Sequence, residues 1–280
     1  MPNLLIKKAL NNNVLIAEHS SYGEVVLIGK GIGFNRKRGD YIDTDIVEKL
    51  FVLKNEKEQV NYLKLLSHVD NDLLEVIISS IELIKSKTNA VLNEHIHVAL
   101  TDHIMFAVSR LSNGLVLNNP FLIETKALYP FEYQIAEEVV KLIEEQKGFH
   151  LPVGEIGFIA LHIHSAIMNK ELSEVNQHSQ LVTKLVNLIE EQLEVEIDKD
   201  SIDYMRLVRH LRFTIERVHT GERVEEPEKI TSLLKDEYPL CYNLSWKLIK
   251  VMQQTLKKQV YDAEAVYLTM HLQRLQKKIQ

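Results

Sequence analysis

Two patterns of hydrophobic spacing divide the chain near residue 54. Before this point, short apolar runs separated by turn residues predict about four β-strands, at residues 4–10, 14–17, 24–29 and 49–53. After it, apolar residues recur at i, i+3, i+4 and i+7, the spacing of amphipathic helices. The predicted helices are residues 73–84, 95–111, 133–146, 180–193, 204–218, 244–256 and 263–275. The pattern therefore predicts a small antiparallel sheet followed by an all-helical region.

The helical region contains an internal repeat. Glu155 and His162 recur as Glu264 and His271, both at an offset of 109 residues, and His103 recurs as His210 at an offset of 107. Tyr-Pro pairs at 129–130 and 238–239 follow the same register. Repeated spacing of this kind predicts two copies of one helical module.

These patterns predict a multidomain α+β protein, in which a small antiparallel sheet domain precedes two homologous all-α helical bundles. The predicted domains are residues 1–57, 62–171 and 172–280. The chain has 280 residues, of which 45% are apolar and 26% charged, so it is long enough for two or three globular domains. A sheet of about four strands is small for an independent monomer, which leads us to expect a dimer.

No segment of the sequence has the features of a membrane span or a secretory signal. The longest apolar runs fall short of the roughly 18 to 20 residues that a spanning helix needs. Cys241 is the single cysteine, which excludes an intramolecular disulfide and a multi-cysteine zinc site. We expect a soluble, cytoplasmic protein without membrane insertion.

Charge is distributed unevenly along the chain. Residues 1–38 carry six basic and two acidic side chains, whereas the remainder carries 27 basic and 37 acidic ones. A basic small domain joined to an acidic larger region is typical of a protein whose small domain meets a polyanion. A basic surface without any partner remains the alternative.

The segment GKGIGFNRKR, residues 29–38, concentrates candidate binding chemistry. Its alternating glycines can bring backbone close to a ligand, and Phe34 adds a flat apolar ring beside three basic residues. A dinucleotide fingerprint, G-x-G-x-x-G, is excluded because Phe34 occupies the third glycine position. Stacking on bases and contact with phosphates fit better, with the amides of residues 11–13 as candidate readers of base edges. Asparagine triplets and strand glycines also occur simply as turns and bulges.

The repeated histidines allow several readings. A metal-dependent hydrolase built on them is the enzymatic alternative, but residues two apart on a helix point about 200° from each other, so neither H-x-H pair chelates one ion. No H-E-x-x-H, phosphate-binding loop or nucleophile motif is present. We therefore expect no enzyme activity, no cofactor and no metal ligands. A DNA-binding sensor is a further alternative, although no helix-turn-helix is visible near the N-terminus.

Accepting a phosphoryl group requires fewer neighbouring residues than metal-dependent hydrolysis does. A neutral imidazole can attack a phosphoryl group carried by another protein, and arginines can pair with the charge that this adds. The candidate arginines are Arg110, two turns after His103, and Arg206, Arg209 and Arg212 around His210. The alternative is that these arginines only solvate a helix face.

Six strings identify the chain as a member of a known family: LNNNVLIA, EVVLIGKGIGF, LNEHIHVALTDHI, GEIGFIALHIHSA, LSEVNQHSQL and EYPLCYN. Together they resemble the BglG/SacY family of bacterial transcriptional antiterminators, and in particular its glucose-type members, over essentially the whole chain. The resemblance implies an RNA-binding domain that dimerises on a hairpin in a leader transcript and prevents the terminator from forming. Two phosphotransferase-system regulation domains would follow it.

The resemblance also implies roles for particular residues. The implied RNA contacts are Lys8, Asn11, Asn13, Gly29, Lys30, Gly31, Phe34 and Arg36. The implied phosphorylation sites are His103 and His162 in the first regulation domain and His210 and His271 in the second. The implied partners are the leader RNA, a sugar transporter (enzyme II), the phosphocarrier protein HPr and a second copy of the chain.

Overall fold

The computed structural model describes residues 4–29, 31–47, 49–52, 64–66, 71–223 and 228–277. The chain forms two compact units. The first comprises residues 1–117 and 135–169, and the second comprises residues 118–134 and 170–280.

An antiparallel sheet lies in the first unit. Its strands are β1 (Leu4–Asn11), β2 (Val14–His19), β3 (Gly23–Ile28), β4 (Tyr41–Ile42) and β5 (Lys49–Phe51), in the order β4-β1-β2-β3-β5. The four predicted strands are present. The additional strand, β4, has two residues and pairs with the start of β1, and a strand this short shows no alternation that a sequence pattern could detect.

Strands β2 and β3 are buried on both faces, whereas β1 is buried on one face only. One face forms a core cluster of Leu4, Ile6, Leu15, Ala17, Val25, Leu27, Ile32 and Ile42. The alternate residues Val14, Ile16, Val26 and Ile28 are buried as well. Burial on both faces explains why β2 and β3 are continuous apolar runs, and the expected dimer stays a prediction.

Ten helices follow among the described residues between 71 and 277. They are α1 (Asn71–Thr88), α2 (His95–Ser112), α3 (Leu122–Leu128), α4 (Pro130–Lys147), α5 (Val153–Met168), α6 (Leu172–Leu193), α7 (Ile202–Thr220), α8 (Glu228–Glu237), α9 (Pro239–Leu256) and α10 (Ala263–Lys277). All seven predicted helices are present, most of them a few residues longer than predicted. No described helix is both long enough and apolar enough to cross a bilayer.

In the first unit, α2 packs against both α1 and α5. Helix α5 is buried nearly all round, including His162 and His164, so its residues are apolar or small on most sides. It ends where Asn169 adopts a left-handed conformation with φ 51°, a conformation that asparagine tolerates better than most residues.

In the second unit, α7 packs against α6 and α10. Helix α7 begins at Ser201, whose Oγ accepts a hydrogen bond from Tyr204 N at 3.2 Å, and it ends at Gly221 with φ 73°. Pro239 opens α9 in the first turn, where its missing N–H costs nothing. The packing of α7 on α10 repeats that of α2 on α5, so the sequence repeat is also a structural one.

Candidate functional site

Backbone hydrogen bonds hold the loop after β3 against the turn between β1 and β2. Gly29 N donates to the carbonyl oxygen of Asn13 at 3.0 Å, and Gly33 N donates to that of Asn12 at 2.8 Å. Gly31 N donates to Oδ1 of Asn13 at 2.8 Å. The glycine-rich loop and the asparagine turn are therefore one hydrogen-bonded unit.

Asn11 is engaged inside this unit. Its Oδ1 accepts from Asn13 N at 2.9 Å, and its Nδ2 donates to the carbonyl oxygen of Leu66 at 3.3 Å. Both asparagines thus have a clear part in shaping the turn. Their reading of base edges stays a prediction, and for Asn11 it requires an exchange of existing hydrogen bonds.

Gly33 is required by close packing. A Cβ at this position would lie 2.1 Å from the backbone oxygen of Asn11 and 3.2 Å from the backbone carbon of Asn12. Real side chains do not tolerate such a distance to backbone. The family resemblance implies no RNA contact for Gly33. Its role is to let the loop approach the turn closely.

The predicted RNA contacts differ in accessibility. Phe34 is 64% exposed, and Lys8, Gly31 and Arg36 are also exposed. Gly29 is buried, which favours a role in positioning the loop. Lys30 lies outside the described residues. The exposed members put an aromatic ring and cations at the surface of the sheet domain, as base stacking with phosphate contact requires.

The histidines of the first module meet across α2 and α5. The ring centroids of His103 and His162 are 4.9 Å apart. Nε2 of His103 lies 3.0 Å from Oε2 of Glu155, whose Oε1 accepts a hydrogen bond from Arg110 at 2.6 Å. Phe158 flanks His103, with the ring centroids 5.9 Å apart. Two imidazoles, a carboxylate and a guanidinium therefore form one cluster.

The second module repeats this cluster across α7 and α10. The rings of His210 and His271 are again 4.9 Å apart, and Nε2 of His210 lies 3.3 Å from Oε2 of Glu264. Arg217 binds both oxygens of this carboxylate, at 2.8 and 2.9 Å. Tyr267 stands where the first module has Phe158, with its ring 6.0 Å from that of His210.

The two carboxylates are paired to different degrees. Glu264 also accepts a hydrogen bond from Thr214 Oγ1 at 2.8 Å. In the first module the corresponding residue is Ala107, and Arg110 reaches Glu155 through one nitrogen. Burial raises the pKa of Glu264, but the hydrogen bonds from His210, Thr214 and Arg217 outweigh it and lower the pKa overall. Glu264 is therefore held as a carboxylate.

One histidine of each pair is held neutral. Burial, together with the nearby imidazoles of His103 and His95, lowers the pKa of His162 from 6.5 to about 3. Burial, with His210 and Arg274 next in importance, lowers the pKa of His271 to about 4. Both rings are therefore unprotonated near neutral pH, which is the nucleophilic form of imidazole.

Sequence reasoning missed three members of these clusters. Glu155 and Glu264 were recognised as repeated, but no role was given to them. Arg217 follows His210 by seven residues, as Arg110 follows His103, and this shared spacing was the signal that could have found it. Of the arginines expected near His210, Arg212 donates to the carbonyl oxygen of Leu128 at 2.7 Å. Nη1 of Arg206 lies 3.6 Å from Oδ1 of Asp203, and its charge contributes to the lowered pKa of His271.

Comparison with known proteins agrees with this arrangement. The CAT RNA binding domain profile matches residues 4–60, and the PRD domain profile matches residues 79–166 and 183–275. The combination of a CAT RNA binding domain and two PRD domains defines a class of RNA-binding regulatory proteins.

Similar proteins of known name show which members of this class the chain resembles. The chain is 59% identical to the PtsGHI operon antiterminator of Bacillus subtilis over 274 residues, covering 98% of both chains. It is 42% identical to the GlcA/glcB genes antiterminator of Staphylococcus carnosus, covering 97% of this chain and 96% of the relative. A crystal structure of GlcT CAT-PRDI, 56% identical, aligns with a TM-score of 0.55 over 60% of this chain and all of the other. The chain belongs to the BglG/SacY family of transcriptional antiterminators, as its sequence strings predicted.

Proposed function

We propose that this protein binds a hairpin in a leader transcript as a homodimer and prevents formation of the terminator hairpin. The gene expressed as a result encodes a phosphotransferase-system sugar transporter, and the relatives named for the ptsGHI operon and for glcA/glcB favour a glucose transporter. The domains proposed to divide this work are residues 1–57 for RNA binding and residues 62–171 and 172–280 for regulation.

Exposure of Phe34 supports the RNA proposal. An aromatic ring that is 64% exposed on a hydrogen-bonded loop is poorly explained by core packing. Lys8 and Arg36 supply exposed positive charge in the same domain. Stacking and phosphate contacts of this kind grip unpaired bases in RNA loops.

The RNA proposal is tested with the full-length protein and a labelled hairpin from the leader of its own transporter operon. Fluorescence anisotropy should show preference for this hairpin over a scrambled RNA, and binding should weaken with salt. Phe34→Ala should weaken binding about 5- to 150-fold, since stacking contributes roughly 1–3 kcal/mol per base. Tyr22→Ala is the control, because Tyr22 is 60% exposed on the β2–β3 turn. Equal affinity for hairpin and scrambled RNA would remove the proposal.

We further propose that phosphorylation of His103, His162, His210 and His271 switches this activity. The observation that carries the proposal is the duplicated cluster, in which two facing imidazoles lie beside a buried Glu-Arg pair. His103 and His210 have side chains that are 16% and 14% exposed, so an incoming donor can reach the edge of each cluster.

The chemical step is a transfer between imidazoles. A lone pair on the histidine nitrogen attacks the phosphorus of a phosphohistidine on HPr, or of a phosphorylated domain of enzyme II. A new N–P bond forms as the bond to the donor breaks, and the donor leaves with its electron pair. The added charge lies next to Glu155 or Glu264, which repels it, and next to Arg110 or Arg217, which can pair with it.

In each module the phosphoryl group and the buried glutamate would compete for the same arginine, and this competition gives the switch a physical basis. When glucose is scarce, phosphorylated enzyme II would phosphorylate the first regulation domain and keep the dimer inactive. When glucose is transported, the phosphate would return to the transporter and the RNA-binding sheets would pair. A change from Glu-Arg to phosphate-Arg pairing between packed helices is the local event that would bias the dimer.

Mass spectrometry under conditions that preserve phosphohistidine tests the switch. After incubation with a purified relay of HPr and enzyme II, phosphate should appear on α2, α5, α7 and α10. His150→Ala, a variant at an exposed histidine outside the clusters, should be modified normally. His103→Ala/His162→Ala should lose modification of the first module only. An unmodified protein, with the relay active on another substrate, would refute the switch.

A further inference from the structure

Two histidines outside the duplicated clusters meet in the second unit. His178 lies on α6 and His219 in the last turn of α7, and their Nε2 atoms are 3.0 Å apart. Glu174 precedes His178 by one turn of α6 and places Oε1 4.0 Å from Nε2 of His178 and 3.8 Å from Nδ1 of His219.

This trio is separate from the phosphorylation chemistry. The histidines of the repeat are matched between the modules, whereas His178 and His219 have no histidine at the corresponding positions of the first module. Among the residues that the structure describes, Glu174, His178 and His219 form the one group of three ligand-type side chains whose donor atoms all lie within 4.8 Å of one another. Neither duplicated cluster brings three such atoms so close.

The spacing suits a small divalent ion. Two nitrogen ligands of a tetrahedral zinc, each at about 2.0–2.1 Å, lie roughly 3.3 Å apart. The two Nε2 atoms are 3.0 Å apart in a hydrogen bond between the rings, a separation close to this value, so an ion would replace that hydrogen bond and the rings would turn to aim both nitrogens at it. Oε1 of Glu174 lies 4.0 Å from Nε2 of His178, and the three donor atoms all lie within 4.8 Å of one another, so a change in the side-chain torsions of Glu174 has to bring its carboxylate roughly 1 Å closer to the ion. Residues at i and i+4 of a helix point the same way, which is why α6 can offer two ligands.

Neighbouring charges are compatible with an ion but limit its affinity. Lys170 Nζ lies 3.7 Å from Glu174 and 3.0 Å from Glu216, so Lys170 keeps a carboxylate partner when Glu174 turns to an ion. Lys258 donates to the backbone oxygen of His219 at 3.2 Å and adds a second nearby positive charge. Two imidazoles with one carboxylate favour zinc, cobalt or nickel over magnesium or calcium, which prefer oxygen ligands.

We propose that Glu174, His178 and His219 form a binding site for a divalent transition-metal ion, with zinc as the representative ligand. The ion links the C-terminal end of α7 to α6. His210 lies nine residues earlier on α7, about 13 Å along the helix axis. A metal at this end therefore restrains the helix that carries the first histidine of the second module.

Zinc titration of the untagged full-length protein, stripped with a chelator, tests the site. Competition with a chromophoric chelator should give one zinc per chain. His178→Gln, His219→Gln and Glu174→Gln should each weaken binding at least tenfold, whereas His150→Gln, a variant at an exposed histidine of the first unit, should bind as the wild type does.

A second measurement on the wild-type protein guards against variants that fail to fold. X-ray absorption of the zinc-loaded protein should show scattering from two imidazoles and one or more oxygen ligands. Absence of stoichiometric binding would overturn the proposal. Zinc binding that is unchanged by His178→Gln and His219→Gln in folded variants would also overturn it. An X-ray absorption spectrum without imidazole ligands would overturn it as well.

Discussion

Glu155 and Glu264 are buried charges at the centre of the two histidine clusters. Their side chains are each 2% exposed, and a carboxylate in such a place must be paired with cations or hydrogen-bond donors. Arg110 and Arg217 supply this pairing, so each guanidinium stabilises the module in which it lies, and under the proposed switch it would also pair with a phosphoryl group. The same side chain thereby connects stability to the proposed switch.

Arg217→Gln should destabilise the second unit, because it leaves Glu264 buried with fewer partners. We expect a loss of about 2–4 kcal/mol in unfolding free energy. Glu264→Gln/Arg217→Gln should lose less than the sum of the single changes, since the double variant has no unpaired charge. Urea denaturation followed through Trp246, the single tryptophan and a residue of α9, reports this unit. Strictly additive losses would contradict the pairing.

The lowered pKa of His271 predicts a stability that depends on pH. In the folded state its pKa is about 4, whereas the unfolded chain has the ordinary value near 6.5, so the unfolded state binds more protons between these values. The unfolding free energy therefore falls as the pH falls through this window, by at most about 1.4 kcal/mol per pH unit for this group. Partial exposure reduces the effect.

Denaturation through Trp246 at several pH values checks this prediction. His271→Gln should flatten the dependence between pH 6.5 and 4, while His150→Gln, in the first unit, should leave it unchanged. A wild-type protein whose second unit is equally stable at pH 6.5 and pH 4.5 would show that His271 is not held neutral.

The loop containing Gly33 and the turn between β1 and β2 depend on each other. Gly33→Ala would push a methyl group to 2.1 Å from the Asn11 oxygen, so the loop must move away from the turn. We expect about 1–3 kcal/mol of local destabilisation and a loss of hairpin binding. Gly31→Asn is the matched control for stability, because Gly31 has φ 68° with open space around it and asparagine tolerates this conformation.

Hydrogen exchange measured by mass spectrometry can locate the effect of these substitutions. Amides of β1 and β2 should exchange faster in Gly33→Ala than in the wild type, while those of Gly31→Asn should stay protected. Equal protection in both variants would mean that the close approach at Gly33 is unimportant.

The strands and helices show what the sequence can and cannot reveal. Strands β2 and β3 and the long helices follow directly from apolar spacing, because each buries a continuous face, and β1 and β5 follow from short apolar runs next to turn residues. The two-residue strand β4 and the short helices α3 and α8 escape such a pattern. Arg217 and Glu264 are 47 residues apart in the chain and lie on different helices, so local periodicity could not show their contact. The spacing repeated between the two modules could have shown it.

Duplication gives the protein two histidine clusters that are similar but unequal. Family membership and the repeated packing of α2 on α5 and of α7 on α10 were predictable from the strings and offsets in the sequence. The sequence did not predict the extra Thr214 contact or the bidentate arginine of the second module, because both depend on side-chain geometry. If both modules are phosphorylated as proposed, this difference predicts that they respond unequally to the same phosphoryl donor.

Transcription of a template that carries the leader of the transporter operon brings RNA binding and the switch into one reaction. With purified polymerase and full-length protein, read-through past the terminator should rise with protein concentration. Phe34→Ala should shift this rise to protein concentrations about 5- to 150-fold higher, and prior phosphorylation by the enzyme II and HPr relay should reduce it. Read-through that is unchanged by the wild-type protein, or raised equally by Phe34→Ala, would contradict antitermination through this RNA-binding surface.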